Sequence, residues 1–424
     1  MTNSLLLRNN VMLLTEPVAA GNAVAIGFWF STGSRHEPEN LCGMTHFTEH
    51  ILFKGTRSRS SFEIASSFDR MGGYVNAYTE RELVCLYCVV PFKYTEKALE
   101  ILCDMVSDST FEQKEIEKEL QVIKSEIISA ADDSEEAALD AVSQAVWPSQ
   151  KISGSISGTV EDVEKITRKD LLSWYEKRFV HGKLTVSITG NFNVEKVRQI
   201  LETLPEHDLK NGCSLQENCE NLRPVWKSGI NFVEAPFQQE QFFKVYPVPY
   251  PVDEKMFYTF AVLNALTGDA MSSRLFQQLR EKGGYCYNVY SFFSYYEDAG
   301  LWCAYASSAK QESSRIVADI QKEIEKLKNN TITQDEVTSA IEHLCGEEMI
   351  ASEDAEYRMK RLARNFLAGY SLASTEEIIA MLKKIELKDL NDAIKLLFDE
   401  SKSALVVYGP KLSSSRKKKI EALL

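Results

Sequence analysis

Met44-Thr-His46-Phe-Thr-Glu49-His50-Ile-Leu52 carries two of the chain's six histidines, four positions apart. On a helix, positions i and i+4 share a face, so both imidazoles can reach one ion. Glu49, three residues after His46, lies on the same side. With histidine this scarce, H-x-x-E-H arises by chance in fewer than roughly one in a hundred such chains. Helical periodicity is expected over Met44–Lys54, with Gly55 as a cap just beyond the apolar end Ile51-Leu-Phe53. The plainer alternative is a helix bearing two ordinary histidines.

A hydrolytic zinc takes three protein ligands and keeps the fourth place for water, so one more ligand must come from elsewhere. The helix expected at Phe111–Ala130 offers Glu119 and Glu126, seven apart and nearly superposed two turns along one face. Ile116, Leu120, Ile123 and Ile127 form its apolar stripe, and both carboxylates border it. A carboxylate at the edge of a buried stripe is costly without a partner. A cation held by the histidine helix would be such a partner; a solvated glutamate-rich face is the other reading.

Outward from these helices, 424 residues suit two domains of about 200 each. Strand-like runs at Val11–Leu14 and Ala23–Phe30 come first, then helices at Met44–Lys54 and Ser61–Met71. A strand pair spans Gly73–Val90, and helices near Tyr94–Ser107, Phe111–Ala130 and Arg168–Phe179 lead to a strand at Leu184–Thr189. The order then repeats. Strands at Ile230–Glu234 and Phe242–Val248 precede helices at Glu254–Leu266 and Ser273–Glu281, a strand region at Tyr287–Ala306, and helices at Glu312–Lys328 and from Gln334 onward. A last strand is expected at Ala404–Tyr408. Phe111-Glu-Gln-Lys-Glu-Ile lines up with Ile332-Thr-Gln-Asp-Glu-Val, each opening a long helix. Self-similarity at about 220 residues is a duplicated domain, since solenoid periods are about 20–50. Strands mixed with helix pairs, without regular βαβ alternation, predict an α+β fold of two homologous domains. The boundaries expected are 1–207 and 229–424, joined by a polar linker at 208–228.

Composition excludes several classes. Hydrophobic residues at 44% and charged residues at 26% rule out wholesale disorder. Lys plus Arg is 48 against Asp plus Glu 61, a net −13 that argues against nucleic-acid binding, where basic excess displaces counterions. It permits an acidic cavity for basic ligands without locating one. The N-terminus shows no secretory pattern, and no apolar run approaches the ~20 residues of a membrane span. Nine scattered cysteines suit a reducing compartment, so the cytosol is expected. Cys85 and Cys88 form C-x-x-C within a strand, where residues three apart face opposite ways; a buried strand is favoured over a metal pair. No G-x-x-x-x-G-K-[ST] loop supports nucleotide hydrolysis. His36 is expected to face solvent. His343 and Glu347 are i and i+4, but nothing like His46-x-x-Glu49-His50 accompanies them, so no second zinc site is expected.

His46-x-x-Glu49-His50, with Glu126 seventy-six positions after the second histidine, resembles the inverted zinc motif of the pitrilysin/insulinase metallopeptidases. The two-domain layout is similar to the processing-peptidase branch and its bacterial relatives. The resemblance runs over nearly the whole chain, through Gly27-Phe-Trp-Phe-Ser-Thr-Gly-Ser-Arg35, Gly72-Gly-Tyr-Val-Asn-Ala-Tyr-Thr79, Gly158-Thr159 and Val186-Ser-Ile-Thr-Gly190. In the second half, Ser272-Ser-Arg-Leu-Phe276 and Leu279-Arg-Glu-Lys-Gly-Gly-Tyr-Cys-Tyr287 match another characteristic stretch.

The resemblance implies a processing-peptidase/LuxS-like metallohydrolase fold, each domain a mainly antiparallel sheet packed with helices. It implies one zinc ion per chain on His46, His50 and Glu126, with Glu49 as general base and proton shuttle. Glu119 would support the site from outside the ligand shell. Tyr74, Asn76, Ala77 and Tyr78 would lie on an edge strand where an extended peptide pairs. Arg280 and Tyr287 would reach the substrate carbonyl from the second domain, closing a chamber. The activity implied is zinc-dependent endopeptidase action on peptides or unfolded protein segments. A non-catalytic scaffold or partner subunit, or a peptide-binding module, is the alternative. A homodimer is expected, because the second half lacks the glycine-rich loop of non-catalytic processing subunits.

Overall fold

A computed structural model describes residues 2–208, 223–309 and 312–423. The expected linker falls mostly on 209–222, outside the described residues. Strands β1 (Asn3–Leu6), β2 (Met12–Pro17), β3 (Ala23–Phe30), β4 (Tyr74–Thr79), β5 (Val84–Pro91) and β6 (Leu184–Gly190) form one sheet. Strands β7 (Gly229–Glu234), β8 (Glu240–Pro247), β9 (Val289–Tyr295), β10 (Gly300–Ser308) and β11 (Ala404–Gly409) form the other.

The first sheet runs β1-β2-β6-β3-β5-β4 and the second β7-β11-β8-β10-β9. Without β1 the two orders correspond strand for strand. Each contains one parallel pair, β2 with β6 and β7 with β11, and is otherwise antiparallel. The duplication read from the sequence is therefore a repeated topology, and the fold is α+β with mixed sheets.

β3 shows why its residues form a near-continuous apolar run. Val24, Ile26, Phe28 and Phe30 enter the main core of the first sheet, beneath helices Met44–Leu52 and Thr95–Ser107. Ala25 and Trp29 point the other way, against Met359, Leu362 and Ala363 of the helix Ala355–Leu367. A strand buried on both faces cannot alternate apolar with polar. Cys88 and Cys85 on β5 divide in the same way between the two sides. Burial pushes both thiols up, and the seven described cysteines are free.

The chain forms two compact units, each assembled from separated segments. The first comprises 1–130, 154–222 and 350–374; the second comprises 131–153, 223–349 and 375–424. Helix Ala355–Leu367 thus covers the first sheet, and helix Ser134–Val146 packs Ala138, Val142 and Val146 on the second. In the first unit the covering helix is also held by charge. Buried Glu16 of β2 accepts from Arg358 at 2.9 Å and from Arg361 at 3.2 Å.

Candidate metal centre

The motif helix forms over Met44–Leu52, two residues shorter than its periodicity predicts, with Phe53 rather than Gly55 at its C-terminal boundary. Its N-terminus is fixed by a residue that the motif does not contain. Buried Glu37 accepts the Gly43 N–H at 2.8 Å and the Thr45 N–H at 2.6 Å. A carboxylate there satisfies free amides and complements the helix dipole. The signal was an acidic residue shortly before the helix, in Ser-Arg-His-Glu37-Pro. In the same loop His36 is not solvent-facing as expected: its Nδ1 accepts the Gly33 N–H at 3.0 Å and its Nε2 is buried.

The second helix spans Gln113–Asp132 and brings both glutamates to His50. Glu119 Oε1 lies 2.9 Å from Nδ1, and Glu126 Oε2 lies 3.3 Å from Nε2. Two turns of helix thus bracket one imidazole. His46 Nε2 is 3.1 Å from His50 Nε2 and 4.0 Å from Glu126 Oε2. Among the described residues His46, His50 and Glu126 are grouped closely enough to hold a metal ion. A tetrahedral ion with bonds near 2.1 Å separates its ligand atoms by about 3.4 Å, so the three donors fit zinc in spacing and type.

The surroundings set protonation. Burial, and His50 beside it, hold the His46 imidazole down to about 4, leaving its nitrogen lone pair free. For His50, burial acts downward, but the Glu119 hydrogen bond and the charges of Glu126, Glu49 and Glu119 raise its pKa overall. With the Glu119 carboxylate at Nδ1, the ring donates there, and Nε2 is the nitrogen turned toward the cluster. Glu119 is itself buried and bonded to Lys54 Nζ at 2.6 Å. Burial raises its pKa, yet the bonds from His50 and Lys54 prevail and hold it down. Glu49, also buried, accepts from Thr79 Oγ1 at 2.8 Å through Oε2. Burial pushes its carboxyl above the usual range, against the Thr79 bond and the His50 charge. A carboxyl so placed is suited to exchanging protons.

Thr79 ends β4, which is an edge strand, paired with β5 alone. Tyr74, Asn76 and Tyr78 share one face of β4, and Ala77 and Thr79 the other. The Ala77 N–H is taken by Asn76 Oδ1 at 2.9 Å, a contact local to the strand. Gly72 leaves the preceding helix with φ 72°, and a Cβ on Gly73 would meet the Val89 carbonyl at 2.3 Å. The glycine pair is therefore required by the turn and by close strand approach.

In the second unit, the Arg280 guanidinium lies 5.1 Å from the ring centroid of Tyr287 and 4.8 Å from that of Phe276. Tyr287 is 75% exposed and stands just before β9. His343 pairs with Glu347 at 3.3 Å on one helix.

Residues 13–160 match the family profile described as insulinase, peptidase family M16, and residues 165–344 match the M16 inactive domain. The repeated fold with its His-His-Glu cluster is of the M16 class, and the chain belongs to the insulinase family of peptidases. A Bacillus subtilis protein named uncharacterized zinc protease YmxG is 31% identical, over 95% of this chain and 97% of its own. A Rickettsia felis protein named uncharacterized zinc protease is also 31% identical, over 94% and 96%. The crystal structure of a Helicobacter pylori protease shares the fold at a TM-score of 0.85 and 20% identity, covering 97% of this chain and 99% of that one.

Proposed function

We propose that the protein is a zinc-dependent endopeptidase acting on extended peptides or unstructured protein segments, with one zinc per chain. The observation that carries this reading is the convergence of His46 Nε2, His50 Nε2 and Glu126 Oε2, with buried Glu49 on the same helix. His46, His50 and Glu126 would hold the zinc ion, which would supply the Lewis acidity that makes water acidic enough to act near neutral pH. Glu49 takes the proton of the attacking water, with Oε2 anchored by Thr79, and returns it to the leaving amine. Such transfer is commonly worth about 10²–10⁴ in rate. Glu119 holds His50 in the ligating tautomer.

The peptide pairs along β4, where Tyr74 to Tyr78 offer the free edge of a sheet. Arg280 and Tyr287 belong to the proposal as donors to the substrate carbonyl, supported by their sequence match and by the pairing of an exposed phenol with a guanidinium. The same proposal places the protein in the cytosol as a homodimer. Free thiols suit the first, and the second rests on family resemblance. No described helix is long and apolar enough to cross a membrane.

Glu49→Gln tests the division of labour. The variant should keep one zinc per chain and lose at least about a hundredfold in kcat. Loss of the metal instead would make Glu49 a ligand, and unchanged turnover would remove it from the reaction.

A further inference from the structure

β4 is held on the face turned away from Thr79 and Glu49, and the holding residues come from helix Ala355–Leu367. Tyr74 Oη donates to Glu356 Oε2 at 2.5 Å. Lys360 Nζ bonds the other Glu356 oxygen at 2.6 Å and lies 5.2 Å from the Tyr78 ring centroid and 4.4 Å from that of Tyr87. Arg364 pairs with Glu80, directly after the strand. Glu356, Lys360 and Arg364 are spaced i, i+4, i+8, so one helix face meets the strand from its first residue to its end.

The arrangement has a counterpart in the second unit. Helix Ser134–Val146 begins with Asp133 capping and Glu135 two residues on, as Ala355–Leu367 begins with Asp354 and Glu356. Glu135 accepts Tyr290 Oη of edge strand β9 at 2.6 Å and Tyr305 Oη of β10 at 3.3 Å. The sequence Asp-x-Glu at a helix start, gripping a tyrosine of an edge strand, therefore occurs twice. In the first unit the gripped strand also bonds, through Thr79, to the carboxylate of the metal motif.

We propose that Glu356 is a positioning residue for peptide hydrolysis, holding β4 through Tyr74 so that its free edge is straight and ordered before a substrate strand pairs with it. This rests on the reading of β4 as the substrate strand. An edge strand has a neighbour on one side alone, so an incoming peptide would otherwise have to order it on binding. Fixing it beforehand lowers KM while leaving the proton transfer on Glu49 untouched.

The test uses the full-length zinc-loaded protein with Glu356→Gln, Tyr74→Phe, the double variant, and Glu135→Gln as the matching change in the second unit. Peptide kinetics, zinc content, melting temperature and amide exchange along β4 are measured on each. Glu356→Gln and Tyr74→Phe should each raise KM about tenfold, with kcat within about twofold and zinc unchanged. The double variant should be no worse than Glu356→Gln alone, since Tyr74→Phe removes a bond that loss of the Glu356 charge has already weakened. Exchange should quicken in β4 and not in β3. Glu135→Gln should lower the melting temperature to a similar extent and leave KM alone. Unchanged β4 exchange in a folded Glu356→Gln would overturn the proposal whether or not the protein cleaves peptides. Faster exchange with unchanged KM would show a brace without a substrate role, and equal KM effects from Glu135→Gln would reduce it to general stability; either outcome sinks it. If the parent protein cleaves nothing, the protease reading fails separately, and the exchange data still decide whether Glu356 orders the strand.

Discussion

His50 has a carboxylate at each ring nitrogen, and the two do different things. Glu126 stands with His46 on the Nε2 side, while Glu119 at 2.9 Å from Nδ1 decides which nitrogen keeps its proton. Glu119→Gln retains an acceptor but removes the charge and can present an amide donor to the wrong nitrogen. Zinc affinity should fall about 10–100-fold, read by competition with a chromogenic chelator. Unchanged affinity would show that Glu119 does not tune the ligand. The pair His46 and His50 was legible because both sit on one helix, where spacing alone fixes which side chains meet. Glu119 and Glu126 could be ranked only through resemblance, since a glutamate-rich helix looks the same whether it faces water or a cation. Glu37 and Thr79 were not legible as partners of this helix. Each comes from another element, and their contacts exist only after packing.

Between elements, the close fit of β3 against helix Ala355–Leu367 depends on Gly27. A Cβ there would lie 2.3 Å from Met359 Sδ and 2.8 Å from Trp29 Nε1. Gly27→Ala should therefore destabilise the protein by about 1–3 kcal/mol through overpacking, measured by urea unfolding, with part recovered when Met359→Ala is added. A neutral Gly27→Ala would mean that the helix can move away freely. Most strands and the paired helices of each half were readable from periodicity. The two helices that cover the outer sheet faces were not identified. Ala355–Leu367 hides its burial behind Arg358, Lys360, Arg361 and Arg364, of which Arg358 and Arg361 pair with Glu16 of β2 and Arg364 with Glu80 just after β4. A stripe of Met359, Leu362 and Ala363 among so many charges resembles a solvated helix until its partners are known.

For the whole molecule, the repeat at about 220 residues was visible as matching helix starts and became two sheets with corresponding strand orders. The segments 131–153 and 350–374, each joining the other half's sheet, were hidden because periodicity says that a helix has an apolar face and not which sheet it covers. The repeat also concentrates chemistry: His46, Glu49, His50 and Glu126 lie in the first copy, while His343 in the second pairs with Glu347. The central claim, that this set hydrolyses peptide bonds, is met most directly by incubating the purified protein with a library of unstructured peptides and mapping the cleavage sites beside zinc content. The account predicts internal cleavage at one zinc per chain, loss with a chelator and return on adding zinc. Intact peptides in the presence of protein carrying one zinc per chain would contradict it and favour a non-catalytic scaffold or peptide-binding module.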